Sequence, residues 1–184
     1  AEAENQRERL TAACARVPES RYLFNNTALD ILAIAQAMLN GEIAYRRGDY
    51  EEAWTHLSGA IDLDDTLPYD EPWGWMQPTR HAYGALLLEQ GRVAEAEAVY
   101  RADLGLDDTL PRPAQHPGNV WALHGLHECL MRLGKTGEAR IIAQQLKIAA
   151  ALADVPIGSS CFCRLETAPA PALLRSANPS LPTP

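Results

Sequence analysis

The chain repeats itself at a fixed interval of 43 residues. "LDDTLP" stands at 63–68 and again at 106–111, and Gly48, Gly91 and Gly134 fall at the same spacing. Each glycine closes one amphipathic stretch and opens an Ala-rich one: "GDYEEAWTHL", "GRVAEAEAVY" and "GKTGEARIIA". Equal spacing of this kind is the mark of stacked copies of one supersecondary unit, because a single copy cannot bury its own apolar face. It therefore narrows the possible folds before any motif is considered.

Within each copy the pattern is helix, tight Gly turn, helix. Helices are expected over 1–16, then from Asn26 and Thr27 to about 47. Further helices are expected near 50–63, 77–90, 93–106, 119–133 and 136–153. Thr27 followed by Asp30 has the spacing of a capping box, which satisfies backbone donors at a helix start. The predicted organisation is a flanking helix and loop over 1–24, three repeats over 25–154 and a C-terminal turn and tail over 155–184. The end of that tail, "TAPAPALLRSANPSLPTP", is Pro- and Ala-rich and is expected to be disordered.

Three stretches carry a resemblance to a known family: "GEIAYRRGDYEEAWTHLSGA", "YGALLLEQGRVAEAEAVYRA" and "LHECLMRLGKTGEARIIAQQL". They resemble tetratricopeptide repeats and agree in phase over residues 32 to 150. Seven residues before each turn glycine the repeat has a small slot, held here by Gly41, Gly84 and His127. Five residues after the turn glycine, Ala53, Ala96 and Ala139 fill a second small slot. The family period is about 34 residues, so each linker here is about nine residues longer. The longer period and the "YDEPWGW…PTRH" linker resemble a subgroup found as the C-terminal part of larger chains. The resemblance implies an all-α fold, a right-handed α-solenoid of three helix-turn-helix repeats with an N-terminal flanking helix and an irregular C-terminal tail.

The resemblance also implies that the first helix of each repeat lines a concave groove that binds a peptide, a protein partner or a small ligand. The groove slots fall on Met38, Glu42, His81, Ala85, His124 and Glu128. His81 and His124 take the same register on helices whose axes would lie roughly 8–10 Å apart. Arg132 continues the face of Glu128 one turn further on. The first linker adds Trp73, Arg80 and the start of a helix, a setting suited to an anion or carboxylate. The second adds Gln115, His116, Asn119 and Trp121. Linkers this long and this rich in aromatic and hydrogen-bonding groups are expected to be ordered and functional. The ligand-binding set is therefore Trp73, Arg80, His81, Trp121, His124, Glu128 and Arg132. The Lys, Arg and Asn clamp by which some family members hold a terminal carboxylate is missing.

A second reading is a metalloprotein or metalloenzyme. Cys161 and Cys163 in "SSCFCRL" suit copper or zinc, and with His81 and His124 they would form a set for copper, zinc or iron, Glu128 or His127 standing behind it. The same two cysteines also fit two other roles, as small buried residues anchoring a turn or as a disulfide. His127 fits a core histidine bonded to a carbonyl, and Cys129 a packing residue. No nucleophile–base pair, phosphate-cradling loop or dinucleotide fingerprint stands in the sequence, so an enzymatic role would rest on the metal. The net charge of −8 argues against nucleic acid and anionic membranes. No apolar run approaches 18 residues, and four scattered cysteines do not make a disulfide scaffold, so a cytoplasmic protein is expected.

Overall fold

The structure, a computed structural model, describes residues 2–165. It is all-α apart from a two-stranded ribbon, with seven α-helices among the described residues. They are α1 (Glu2–Cys14), α2 (Ala28–Arg47), α3 (Tyr50–Asp65), α4 (Thr79–Glu89), α5 (Val93–Leu104), α6 (Val120–Arg132) and α7 (Thr136–Ala150). Two short antiparallel strands, β1 (Tyr22–Leu23) and β2 (Asn26–Thr27), pair Tyr22 with Thr27 and Leu23 with Asn26 ahead of α2. The chain forms two compact units that divide between Tyr83 and Gly84, inside α4. No helix among the described residues is long and apolar enough to cross a membrane. The tail beyond residue 165, expected to be disordered, lies outside the described residues.

The helix ends follow local chemistry. Thr27 caps α2: its hydroxyl oxygen accepts from the Asp30 amide at 3.1 Å and its proton goes to the Asp30 carboxylate at 2.6 Å. Gly48, Gly91 and Gly134 all have positive φ, from +72° to +88°. In each turn the next residue's amide closes back on the carbonyl five residues earlier: Asp49 on Ala44, Arg92 on Leu87 and Lys135 on Leu130. That bond ties up a carbonyl the helix end leaves open, and the left-handed step it needs is cheap only for glycine.

The small slots do their work in both units. Ala53, Ala96 and Ala139 are buried. In the first unit α2 and α3 pack so closely that a Cβ on Gly41 would stand 2.6 Å from Leu57. Tyr45, Tyr50, Trp54 and Tyr83 form a chain of edge-to-face rings with centroids 5.3 to 5.7 Å apart. In the second unit the buried Tyr100 ring occupies the space left by two glycines, Gly84 and Gly125, either of whose Cβ atoms would overlap it. Leu86, Leu123, Leu126 and Leu130 complete that core, each contributing about 1.5–3 kcal/mol by leaving water.

The two long linkers are ordered by their own polar residues. In the first unit Asp70 accepts from the Asn25 amide and from the side chains of Asn25 and Asn26. Asp64 accepts from the Thr79 hydroxyl at 3.0 Å, and Asp65 takes a two-pronged bond from Arg80 at 2.5 and 2.6 Å. In the second unit His116 meets the fully buried Asp103 at 2.9 Å, and Gln115 donates to the Leu110 carbonyl at 2.8 Å. Asn119 caps α6 through the amides of Trp121 and Ala122.

Candidate functional site

The α6 sequence "VWALHGLHECLMR" is apolar every third or fourth residue, and α6 buries most of its length. Two of its polar residues are buried along with the apolar ones: His124 is 3% exposed and Glu128 8%. Two other stretches of the second unit meet them. Tyr100 comes from α5, and Ser160 and Arg164 come from an irregular segment, residues 157–165, that follows α7. Arg164 donates to both oxygens of Glu128 at 2.8 and 3.0 Å, while Arg132 reaches the same carboxylate from the following turn of α6. Arg132 also donates to the Leu88 carbonyl at 3.1 Å. The Tyr100 hydroxyl pairs with the Ser160 hydroxyl.

This is a costly arrangement. Two charges taken from water lose several kcal/mol of hydration each, and a forked, charge-assisted pair returns most of it only with good geometry. Here the fork is complete, but two nitrogens beside it are not served. His124 Nδ1 and Arg164 Nε are buried without a hydrogen-bond partner. Buried polar groups are nearly always satisfied, so two such atoms in one place mark a site with hydrogen-bonding capacity to spare. In the first unit Asn26 Oδ1 and Trp75 Nε1 share that condition, but they lie in the fold-back of a linker held by Asp70.

Burial sets the protonation of the site's ionisable groups. Burial pushes the His124 pKa below its ordinary value, with Glu128 opposing and His127 and Arg164 reinforcing the shift. The imidazole is thus held neutral. Burial, with help from Glu128 and Glu97, pushes the Cys129 thiol up to about 12. Burial likewise raises the Tyr100 phenol, against the lowering effect of Ser160. Neither group is poised as a nucleophile, because neither ionises near neutral pH. A second charged cluster at the turn after α6 is structural: Glu97 holds Lys135 and Arg101, and Arg101 also holds Glu138.

The predicted binding residues fare differently. His124, Glu128 and Arg132 stand together on α6. Trp121 lies nearby in the sense that its ring makes an edge-to-face contact with Phe162 of the 157–165 segment, centroids 5.5 Å apart. Arg80 is not a free cation for an incoming carboxylate, because Asp65 already holds it. His81 is buried in the first unit, and Trp73 is 41% exposed there. Met38 is buried and Glu42 half-buried on α2. Burial raises the Glu42 pKa, with Arg46 acting against it. Gln115 and His116 bond within the second unit to the Leu110 carbonyl and Asp103, and Asn119 caps α6.

The expected metal set of His81, His124, Cys161 and Cys163 is not assembled. Cys161 and Cys163 are joined to each other as a disulfide, so neither offers a thiolate. Among the described residues no group of three or more His, Cys, Asp and Glu side chains stands where it could share an ion. His127, expected as a core histidine, is only half-buried, whereas Cys129 packs fully inside as expected.

Sequence reasoning missed Tyr100, Ser160 and Arg164. Tyr100 had one signal: Gly125 sits mid-helix with no turn to make, which points to a close approach by a neighbour. Arg164 had none, lying outside every repeat. No known protein family, characterised protein or solved structure matches this chain.

Proposed function

We propose that the chain is a tetratricopeptide-like binding module, an α-solenoid of three long-period repeats, and that the buried polar face of α6 binds an extended peptide segment of a protein partner through an arginine side chain. The phase of the three repeats supports the scaffold. The observation that carries the ligand class is the seat of Arg164. A guanidinium carried on an irregular segment lies forked on Glu128, with Arg132 on the same carboxylate and His124 buried one helical turn before it. A carboxylate so placed selects the planar five-donor guanidinium over an ammonium, because only the former bonds both oxygens at once.

The test uses fluorescein-labelled decapeptides with one central arginine between small residues, titrated against the full-length Arg164→Gln chain. Matched peptides carry citrulline, which has the same shape without the charge. Saturable binding that weakens about tenfold or more with citrulline is the expected result. Equal binding of the two series, or none by either, would end the proposal. Circular dichroism of the variant checks that it is folded.

A further inference from the structure

We infer that residues 157–165 are an intramolecular ligand of the α6 face, holding Arg164 in the place that a partner's arginine takes. This rests on reading that face as a peptide site, and four observations point to it.

The segment behaves as a docked peptide. It has no helix or strand of its own, and its backbone closes on itself where the Arg164 amide meets the Cys161 carbonyl at 3.3 Å. Its attachments are side-chain contacts spread along its length: Ser160 to Tyr100, Phe162 to Trp121 and Arg164 to Glu128. The Leu165 amide adds a bond to the Glu89 carboxylate at 3.1 Å. Ile157, Ser159, Ser160, Cys161 and Arg164 are buried, whereas Phe162 is 81% exposed and Leu165 is exposed too. One side of the segment faces the protein and the other faces water.

The fit is incomplete. His124 Nδ1 and Arg164 Nε find no partner while the segment is in place. Each buried unsatisfied group costs free energy that a better-matched ligand would not lose.

The segment's shape is kept by a short covalent clasp. The Cys161–Cys163 bond, with the Cys163 amide on the Cys161 sulfur at 3.1 Å, fixes the turn that lets Cys161 and Arg164 both face inward. The tether is short as well, since only residues 151–156 separate α7 from the segment. A ligand tethered in this way has an effective concentration on the order of millimolar. A partner must outcompete that, so weak arginine-bearing peptides are turned away while a well-matched one displaces the segment.

Trypsin reads the segment directly, because Arg164 is a cleavage site that is buried while docked. Proteolysis of an opened state follows the population of that state. The full-length wild-type chain is digested briefly, and intact mass gives the cut after Arg164 relative to the cut after the exposed Arg140. The probe is the oxidised octapeptide IGSSCFCR with an amidated C-terminus, beside its citrulline counterpart, each at a few times the dissociation constant measured on the Arg164→Gln chain. The expected result is slow cutting after Arg164 without probe, and a relative rate raised about fivefold or more by the arginine probe alone. Fast cutting after Arg164 without probe would mean that the segment is not docked. An unchanged ratio at that probe concentration would make the segment a permanent part of the fold. Either result overturns the inference and leaves the peptide face of α6 standing. Failure of the probe and the decapeptides to bind the Arg164→Gln chain at all would instead remove the face, and this inference with it.

Discussion

The hexapeptide "LDDTLP" occurs twice and folds in two ways. At 63–68 its first three residues belong to the last turn of α3, which runs to Asp65, and both aspartates reach forward to the start of α4. At 106–111 the helix has already ended at Leu104, and Asp107 folds back on the amide of Thr109 at 3.0 Å. The difference lies in the residue just before the hexapeptide, where Asp62 in the first copy corresponds to Gly105 in the second. Gly105 takes φ +68° and stops α5, and the close approach of Gln115 fills the space a Cβ would need. The second linker then draws its buried acid from within α5, as Asp103 bonded to His116. Identical letters therefore carry different loads, and a neighbouring glycine decides which.

The largest expected contrast is between the second aspartates of the two copies. Asp65→Ala removes the two-pronged bond to the Arg80 guanidinium, whose side chain is only 10% exposed, and should cost about 2 kcal/mol. Asp108→Ala, at an exposed position, should stay within about 0.5 kcal/mol. Urea unfolding of both variants checks the pair, and equal costs would dissolve the contrast. Next in size is the glycine. Gly105→Ala needs a left-handed alanine with its Cβ 2.2 Å from Gln115 Oε1, so about 2 kcal/mol is expected. Gly48→Ala, with open space around it, should cost about 1 kcal/mol. The order of the two melting temperatures is what matters. Smaller again is the first aspartate: Asp64→Ala loses the anchor of Thr79 and about 1 kcal/mol, against about 0.5 or less for Asp107→Ala.

The last expectation concerns His124 and its dependence on pH. His116 has Asp103, whereas His124 lies among Glu128, His127 and Arg164 with its Nδ1 unpartnered. Burial holds His124 below 6.5, so the unfolded chain takes up the proton first. Its contribution is complete above that value and is lost as pH falls from there toward the lowered folded pKa. Burial shifts His127 the same way, with Glu128 opposing. Melting temperatures between about pH 7.5 and 5.5 should fall less steeply in His124→Gln than in the wild type. Parallel slopes would show that His124 does not titrate on unfolding.

Local features were legible in the sequence where the physics is local. The Thr27 cap, the three turn glycines and the helix positions follow from hydrogen bonds and backbone angles spanning at most six residues. Helix ends shifted by a few residues, as at α3 and α5, where the outcome turned on Asp65 finding Arg80 and on Gly105. The site was only half legible. His124, Glu128 and Arg132 share a helical face, so spacing alone groups them. Arg164 joins them from an irregular segment, and no periodicity in the sequence connects position 164 with position 128. The bonds that Gln115, His116 and Asn119 make were not legible for a related reason: His116 finds Asp103 and Gln115 finds the Leu110 carbonyl only once the linker has closed.

What the sequence determined by itself is thus the run of helices and the turns between them, because 3.6-residue periodicity, side-chain caps and left-handed glycines act between near neighbours. What only the tertiary structure decided is which polar groups lose their water and who replaces it. Glu128 became the seat of an arginine, Cys161 and Cys163 became partners of each other, and Asp65 and Asp108 parted ways. Desolvation and pairing depend on groups that arrive from far along the chain, and such encounters exist only once the chain has folded.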